Sequence, residues 1–148
     1  GACVRAMNAK AEELGLMHTH FENPTGLDLS EARSGGYGSA RDIAFLMEYL
    51  ILKRPELVER TRAAASVVHS QSGAVLSALN TNELAERIPG LLGSKTGFTQ
   101  LAGGNLAVAY DAGLNRPIII AVLGSTQSGR FNDVAALIAE TARALLNE

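Results

Sequence analysis

The sequence has no tryptophan, a single cysteine and few aromatic residues, 5% of the total. One thiol cannot close an internal disulfide, so Cys3 staples nothing and leaves the redox compartment unmarked. It reads as an incidental thiol, not a nucleophile. Without large rings the core must be aliphatic, and a hydrophobic share of 47% over 148 residues is enough to build one. Charge of one sign is lacking as well. Thirteen Lys and Arg face fifteen Asp and Glu, a net charge of −2. No basic face is available to neutralise phosphates, which excludes a nucleic-acid partner. No apolar run reaches the ~18 residues that cross a bilayer. The first residues lack the basic and apolar regions of a secretory leader.

What is present is about one domain's worth of chain. Residues 2–14 place Val4, Met7, Ala11 and Leu14 at helical spacing, and Gly15 supplies a stop. Gly1-Ala2-Cys3 offers no capping side chain, the pattern of a helix cut part-way along. Residues 17–21 predict a short strand, and Asn23-Pro24-Thr25-Gly26 a turn. On that strand His18 and His20 would share a face. No third ligand lies at a recognisable spacing, so the pair reads as polar packing and no metal is expected. Residues 27–38 are polar and glycine-rich, hence a loop. Ser39 with Asp42 forms a helix start, and Ile43, Leu46, Met47, Leu50 and Ile51 make the apolar stripe behind it. Residues 55–60 predict a second short helix opened by Pro55.

Residues 65–69 and 74–79 read as a hairpin around Ser70-Gln71-Ser72-Gly73, with His69 solvated at its turn. Asn80-Thr81-Asn82 leads into a helical turn over 83–87, ended by Pro89-Gly90. Three strands follow, over 91–98, 104–110 and 117–123, and their short connections suit an antiparallel meander. A last helix over 130–146 carries Phe131, Val134, Leu137, Ile138, Leu145 and Leu146 on its apolar side. The fold class expected is therefore α+β, an antiparallel sheet of three strands packed with helices. A helical portion occupies about 1–64 and a strand-rich portion with a C-terminal helix about 65–148.

The polar cluster Ser94-Lys95-Thr96-Gly97-Phe98-Thr99 stands at the head of those strands. A Lys-Thr-Gly triplet alone is three common residues. Its context raises it: Ala102-Gly103 and Asn105-Leu106-Ala107-Val108-Ala109 follow, Thr19-His20-Phe21-Glu22-Asn23-Pro24-Thr25-Gly26-Leu27 precedes, and Met7-Asn8-Ala9-Lys10-Ala11 and Ser39-Ala40-Arg41-Asp42 fall between and before in order. Together these segments resemble the serine-type D-alanyl-D-alanine carboxypeptidases, the low-molecular-mass penicillin-binding proteins of the transpeptidase/β-lactamase-like superfamily. The resemblance covers essentially the whole chain. It implies that Lys95 lines the cleft and keeps it electropositive. It implies that Thr96 contacts the free carboxylate of a terminal D-alanine or of a penicillin, and that Gly97 lets substrate backbone lie against the strand. The backbone N–H of Phe98 would be one of two oxyanion-hole donors, and Arg130 would face the substrate carboxylate. An arginine at a helix start is also simply a solvated group, and the sequence leaves both readings of Arg130 open. Ser94 reads as a strand residue.

The chain departs from that family in one respect. None of its ten serines has Lys three residues later or Asn two residues later, and no Tyr-x-Asn occurs. The Ser-x-x-Lys motif that carries the family's nucleophile is therefore absent, as is the Ser-x-Asn motif. The expectation is the C-terminal part of a catalytic domain, inactive by itself. It would expose an apolar sheet face and an unpaired edge, and would pair with the missing N-terminal half as a second chain or by exchange between copies. The resemblance implies peptidoglycan stem peptides and β-lactams as ligands, no cofactor, and a location outside the cytoplasmic membrane. Two other readings stay open: a non-catalytic peptide-binding module, and a fragment of another acyl-serine hydrolase such as a β-lactamase.

Overall fold

The computed structural model describes residues 1–147. Helix α1 (Ala2–Glu13) begins at Gly1 with no side-chain cap. It ends at Gly15, whose φ of +71° suits glycine. There the Leu16 N–H donates to the Ala11 carbonyl at 2.9 Å and the Gly15 N–H to the Glu12 carbonyl at 3.0 Å. Ala11 and Leu16 are both buried, the apolar contact that accompanies this kind of stop.

The strand expected over 17–21 is shorter than its sequence suggests. Only His20–Phe21 (β1) pairs, with Gly36–Tyr37 (β2). His18 and Thr19 are drawn off instead to helix α2 (Ala40–Lys53), where the His18 N–H and the Thr19 hydroxyl both donate to Asp42 Oδ2, at 2.8 and 2.9 Å. The expected loop over 27–38 accordingly contains β2. Glycines allow it: a Cβ at Gly35 would sit 2.2 Å from the Leu27 carbonyl, and one at Gly36 2.7 Å from the His20 carbonyl. The Asn23 turn forms as read, with Asn23 Oδ1 accepting from the Gly26 N–H at 2.8 Å. Ser39 Oγ caps α2 by accepting from the Asp42 N–H at 3.1 Å.

After α2 the single expected helix is replaced by two 3₁₀ turns, Pro55–Leu57 and Glu59–Arg62. The expected hairpin forms from β3 (Ala65–His69) and β4 (Val75–Leu79), with Ala65 opposite Leu79 and His69 opposite Val75. Its apolar side chains, Val67, Val75, Leu76 and Leu79 among them, are exposed.

Strands β5 (Leu91–Thr99), β6 (Gly103–Asp111) and β7 (Pro117–Ser125) form the antiparallel meander in the order β5-β6-β7. Because successive side chains alternate, β6 serves two cores at once. Leu106, Val108 and Tyr110 pack with Ala85, Ile88, Phe131 and Val134 beneath helix α3 (Gly129–Leu146). Ala107 and Ala109 face the other way, against Met47 of α2 and Val58. The small side chains on that face let α2 approach closely. Both faces of the central strand are thus covered within this chain. On α3 the inward stripe is Phe131, Val134, Ile138 and Leu145, whereas Leu137 and Leu146 are exposed. Leu137 lies one residue, about 100°, from the Val134–Ile138 line. Among the described residues no helix is long and apolar enough to cross a membrane.

Candidate active-site strand

Strand β5 lies at an edge of its sheet, and its outer side is covered unevenly. At its start the Ser94 N–H donates to Thr61 Oγ1 at 2.8 Å, and Gly93 lies so close to Val58 that a Cβ there would meet it at 3.0 Å. At its end Asp28 takes hold: Oδ1 accepts from the Thr99 hydroxyl at 3.0 Å and Oδ2 from the Leu101 N–H at 3.3 Å. Between these two fastenings, over 95–98, no strand of the described residues pairs with the outer edge. The Ser94 N–H points outward to Thr61, so the two-residue period of an extended chain turns the N–H groups of Thr96 and Phe98 outward as well.

The side chains of this open stretch alternate between the two faces of the sheet. Lys95 is exposed, and its ammonium donates back to the Thr96 carbonyl. The Thr96 hydroxyl lies 2.5 Å from that of Thr81. A Cβ at Gly97 would meet only Asn105 Cβ, at 3.8 Å. Phe98 is exposed. Arg130, in the first turn of α3, runs beneath the strand and donates from Nη1 to the Gly97 carbonyl at 2.7 Å. It is 7% exposed, which excludes the solvated reading. Its guanidinium lies 4.8 Å from the Phe131 ring centroid, and its Nε has no hydrogen-bond partner among the described residues. Two cations therefore converge on residues 95–97 from above and below. A site of this kind favours an anion and can orient it.

Of the five residues singled out in the sequence, four lie on this stretch and Arg130 reaches it from α3. Three others escaped notice: Thr61 in the second 3₁₀ turn and Thr81 and Asp28 in loops, each polar and each acting on β5 from far away in sequence. Ser94 is 2% exposed and is held through Oγ to the Thr61 carbonyl at 3.4 Å, so it is no nucleophile. His18 lies outside β1, and His20 stacks on Tyr37 with ring centroids 5.6 Å apart, so the two imidazoles do not share a strand face. Among the described residues no group of three His, Cys, Asp or Glu is placed to hold a metal.

The relatives of this chain agree with one another. The sequence profile of the D-alanyl-D-alanine carboxypeptidase family matches residues 1–127. D-alanyl-D-alanine carboxypeptidase DacF of Bacillus subtilis is 34% identical over 135 residues, 91% of this chain and 33% of its own length. Penicillin-binding protein D2 of Listeria monocytogenes, solved in its ampicillin-bound form, superposes with a TM-score of 0.76 at 33% identity, over 92% of this chain and 54% of its own. The D-alanyl-D-alanine carboxypeptidase of Mycobacterium tuberculosis H37Rv does so with a TM-score of 0.74 at 31% identity, over 92% and 51%. The chain thus spans about a third of the DacF chain and about half of the solved structures. Profile, sequence relatives and α+β architecture coincide, and the chain belongs to the D-alanyl-D-alanine carboxypeptidase family.

Proposed function

We propose that this chain supplies the substrate-binding strand of a serine-type D-Ala-D-Ala carboxypeptidase acting on peptidoglycan stem peptides, outside the cytoplasmic membrane where those peptides lie. The observation that carries the reading is the open stretch of β5, fastened at Thr61 and Asp28 and flanked by Lys95 and Arg130. An extended peptide adds to such an edge as a further strand. Its terminal carboxylate then meets the Thr96 hydroxyl, with the buried Arg130 charge beneath and the Lys95 ammonium beside it. Gly97 leaves room for the peptide backbone. The outward Phe98 N–H donates to the carbonyl oxygen as it becomes an oxyanion, a contribution typically of order 10²–10³ in rate.

The nucleophile of this reaction is a serine activated by a lysine. Its oxygen attacks the carbonyl carbon of the penultimate D-alanine, the peptide C–N bond breaks, and the terminal D-alanine leaves as an amine that has taken up a proton. Water then hydrolyses the ester. No Ser-x-x-Lys occurs among the 148 residues, so this reading takes that serine from a segment outside them. The apolar cavity between α2 and the sheet, lined by Ile43, Leu46, Met47 and Leu123 and bordered by Lys95, is where such a segment would pack. β-Lactams would acylate the same serine.

Labelling with a fluorescent penicillin tests this. No covalent label is expected on this chain alone. A label is expected when a polypeptide bearing the Ser-x-x-Lys and Ser-x-Asn motifs is added, carried by that polypeptide. A label on this chain alone would overturn the assignment. Non-covalent retention of D-Ala-D-Ala peptide with no acylation under either condition would instead favour a peptide-binding module.

A further inference from the structure

We propose that Thr81 is a positioning residue for Thr96, one that fixes which way the Thr96 hydroxyl directs its proton. The inference rests on the reading that Thr96 meets a carboxylate, and deepens it. A hydroxyl has one proton to donate and two lone pairs. An ionised carboxylate only accepts. Thr96 can serve such a ligand only by donating, and its close contact with Thr81, at 2.5 Å, must then run with Thr81 as the donor. A Thr81–Thr96–carboxylate chain is aligned head to tail, and each bond polarises the next.

Thr81 is held in place for this by a closed circuit of bonds. Asn80 Nδ2 donates to the carbonyls of Thr61 at 2.8 Å and Ala63 at 2.9 Å. Asn80 Oδ1 accepts from the Asn82 N–H at 2.9 Å, and Asn82 Oδ1 from the Leu84 N–H at 3.0 Å. Thr61 in turn receives the Ser94 N–H of β5. The path therefore leaves β5 at Ser94, passes through Thr61 and Asn80, and returns to β5 at Thr96 through Thr81. Thr81 stands in fixed register with the strand on which it acts. Asn82, 3% exposed, anchors the following turn and leaves the exposed Thr81 hydroxyl as the circuit's contact with the Thr96 side chain.

The test is an NMR titration of the 148-residue chain, following the Thr96 and Phe98 amides. The probes are an N-acylated peptide ending in D-Ala-D-Ala and the same peptide as its C-terminal amide. The wild type is expected to prefer the carboxylate. Thr81→Val keeps the shape and removes the donor. It should weaken binding of the carboxylate about three- to tenfold, the loss of one hydrogen bond, and leave amide binding unchanged. Thr81→Ser should restore the preference. If Thr81→Val retains the full preference, Thr81 positions nothing, while the Thr96 reading stands. If the wild type itself does not distinguish carboxylate from amide, the Thr96 reading fails and this inference with it.

Discussion

The carboxylate of Asp28 and the hydroxyl of Thr99 meet at 3.0 Å across 71 residues of sequence. Through that contact the Asn23–Asp28 turn is fastened to the end of β5, and the second carboxylate oxygen reaches the Leu101 N–H at 3.3 Å. Thr99 Oγ1 also accepts from the Ala102 N–H at 3.0 Å, so one aspartate organises the whole β5–β6 connection.

Replacing Asp28 therefore acts on the site without touching it. Asp28→Ala removes two acceptors and is expected to cost about 1–3 kcal/mol of stability. Hydrogen exchange should locate the loss, with the Leu101 amide and the 23–27 turn losing protection while α3 keeps it. Unchanged protection at Leu101 would show that the turn needs no such fastening.

Asp42 gives the chain a defined acid limit. Burial pushes its carboxyl upward, but hydrogen bonds from the His18 N–H and from the Thr19 and Ser39 side of the cap outweigh this, and the net shift is downward. The unfolded carboxyl titrates near 3.9. Its stabilising effect is complete above about that pH and is lost as pH falls through the lower folded value. Asp42→Asn should be less stable at neutral pH and should show a shallower loss of stability below about pH 4 in denaturant titrations. Parallel acid limbs in variant and wild type would assign the limit to other carboxyls.

The β6–β7 turn contains a correctable weakness. Leu114 is fully exposed and sits at φ +57°, next to Asn115 at +58°. A left-handed conformation costs a non-glycine residue roughly 1–2 kcal/mol. Leu114→Gly loses no packing and should raise the Tm by a few degrees, the net of relieved strain against roughly 0.5–1 kcal/mol of added chain entropy. A lowered Tm would mean that the leucine contributes a contact not made within this chain.

Periodicity made the three long strands and all three helices legible, because each carries a regular apolar pattern, which α2 and α3 bury against the β5-β6-β7 sheet and α1 beside β1. Lys95, Thr96, Gly97 and Phe98 were legible for a different reason: they stand together in sequence and in a context that resembles one family. The pairing of β1 with β2 was hidden, since two-residue strands carry no period and the glycines at 35 and 36 read equally well as loop. Leu137 was misread because Val134, Leu137 and Ile138 all fit helical spacing, and only the position of the sheet decides which pair turns inward. Thr61, Thr81 and Asp28 were not legible at all. Their roles come from contacts to β5 spanning 33, 15 and 71 residues, and no local pattern encodes those.

Gly97 separates binding from folding more cleanly than any other position on β5. Its φ is not in the left-handed region, and an added Cβ would make one ordinary contact, with Asn105 Cβ at 3.8 Å. Gly104, its near neighbour across the ladder, is the opposite case, because a Cβ there would lie 2.0 Å from the Thr126 carbonyl, which receives the Arg130 N–H. Gly97→Ala should thus fold with stability within about 1 kcal/mol of wild type, the usual range for a substitution without a clash. Gly104→Ala should lose several kcal/mol and disturb the start of α3. If a peptide lies against β5, Gly97→Ala nevertheless weakens D-Ala-D-Ala peptide binding by more than tenfold, because the new methyl group stands where the ligand backbone passes. Thermal melts and peptide titrations on the same two variants separate the outcomes. A Gly97→Ala chain that melts and binds like wild type would remove β5 as the ligand's resting place.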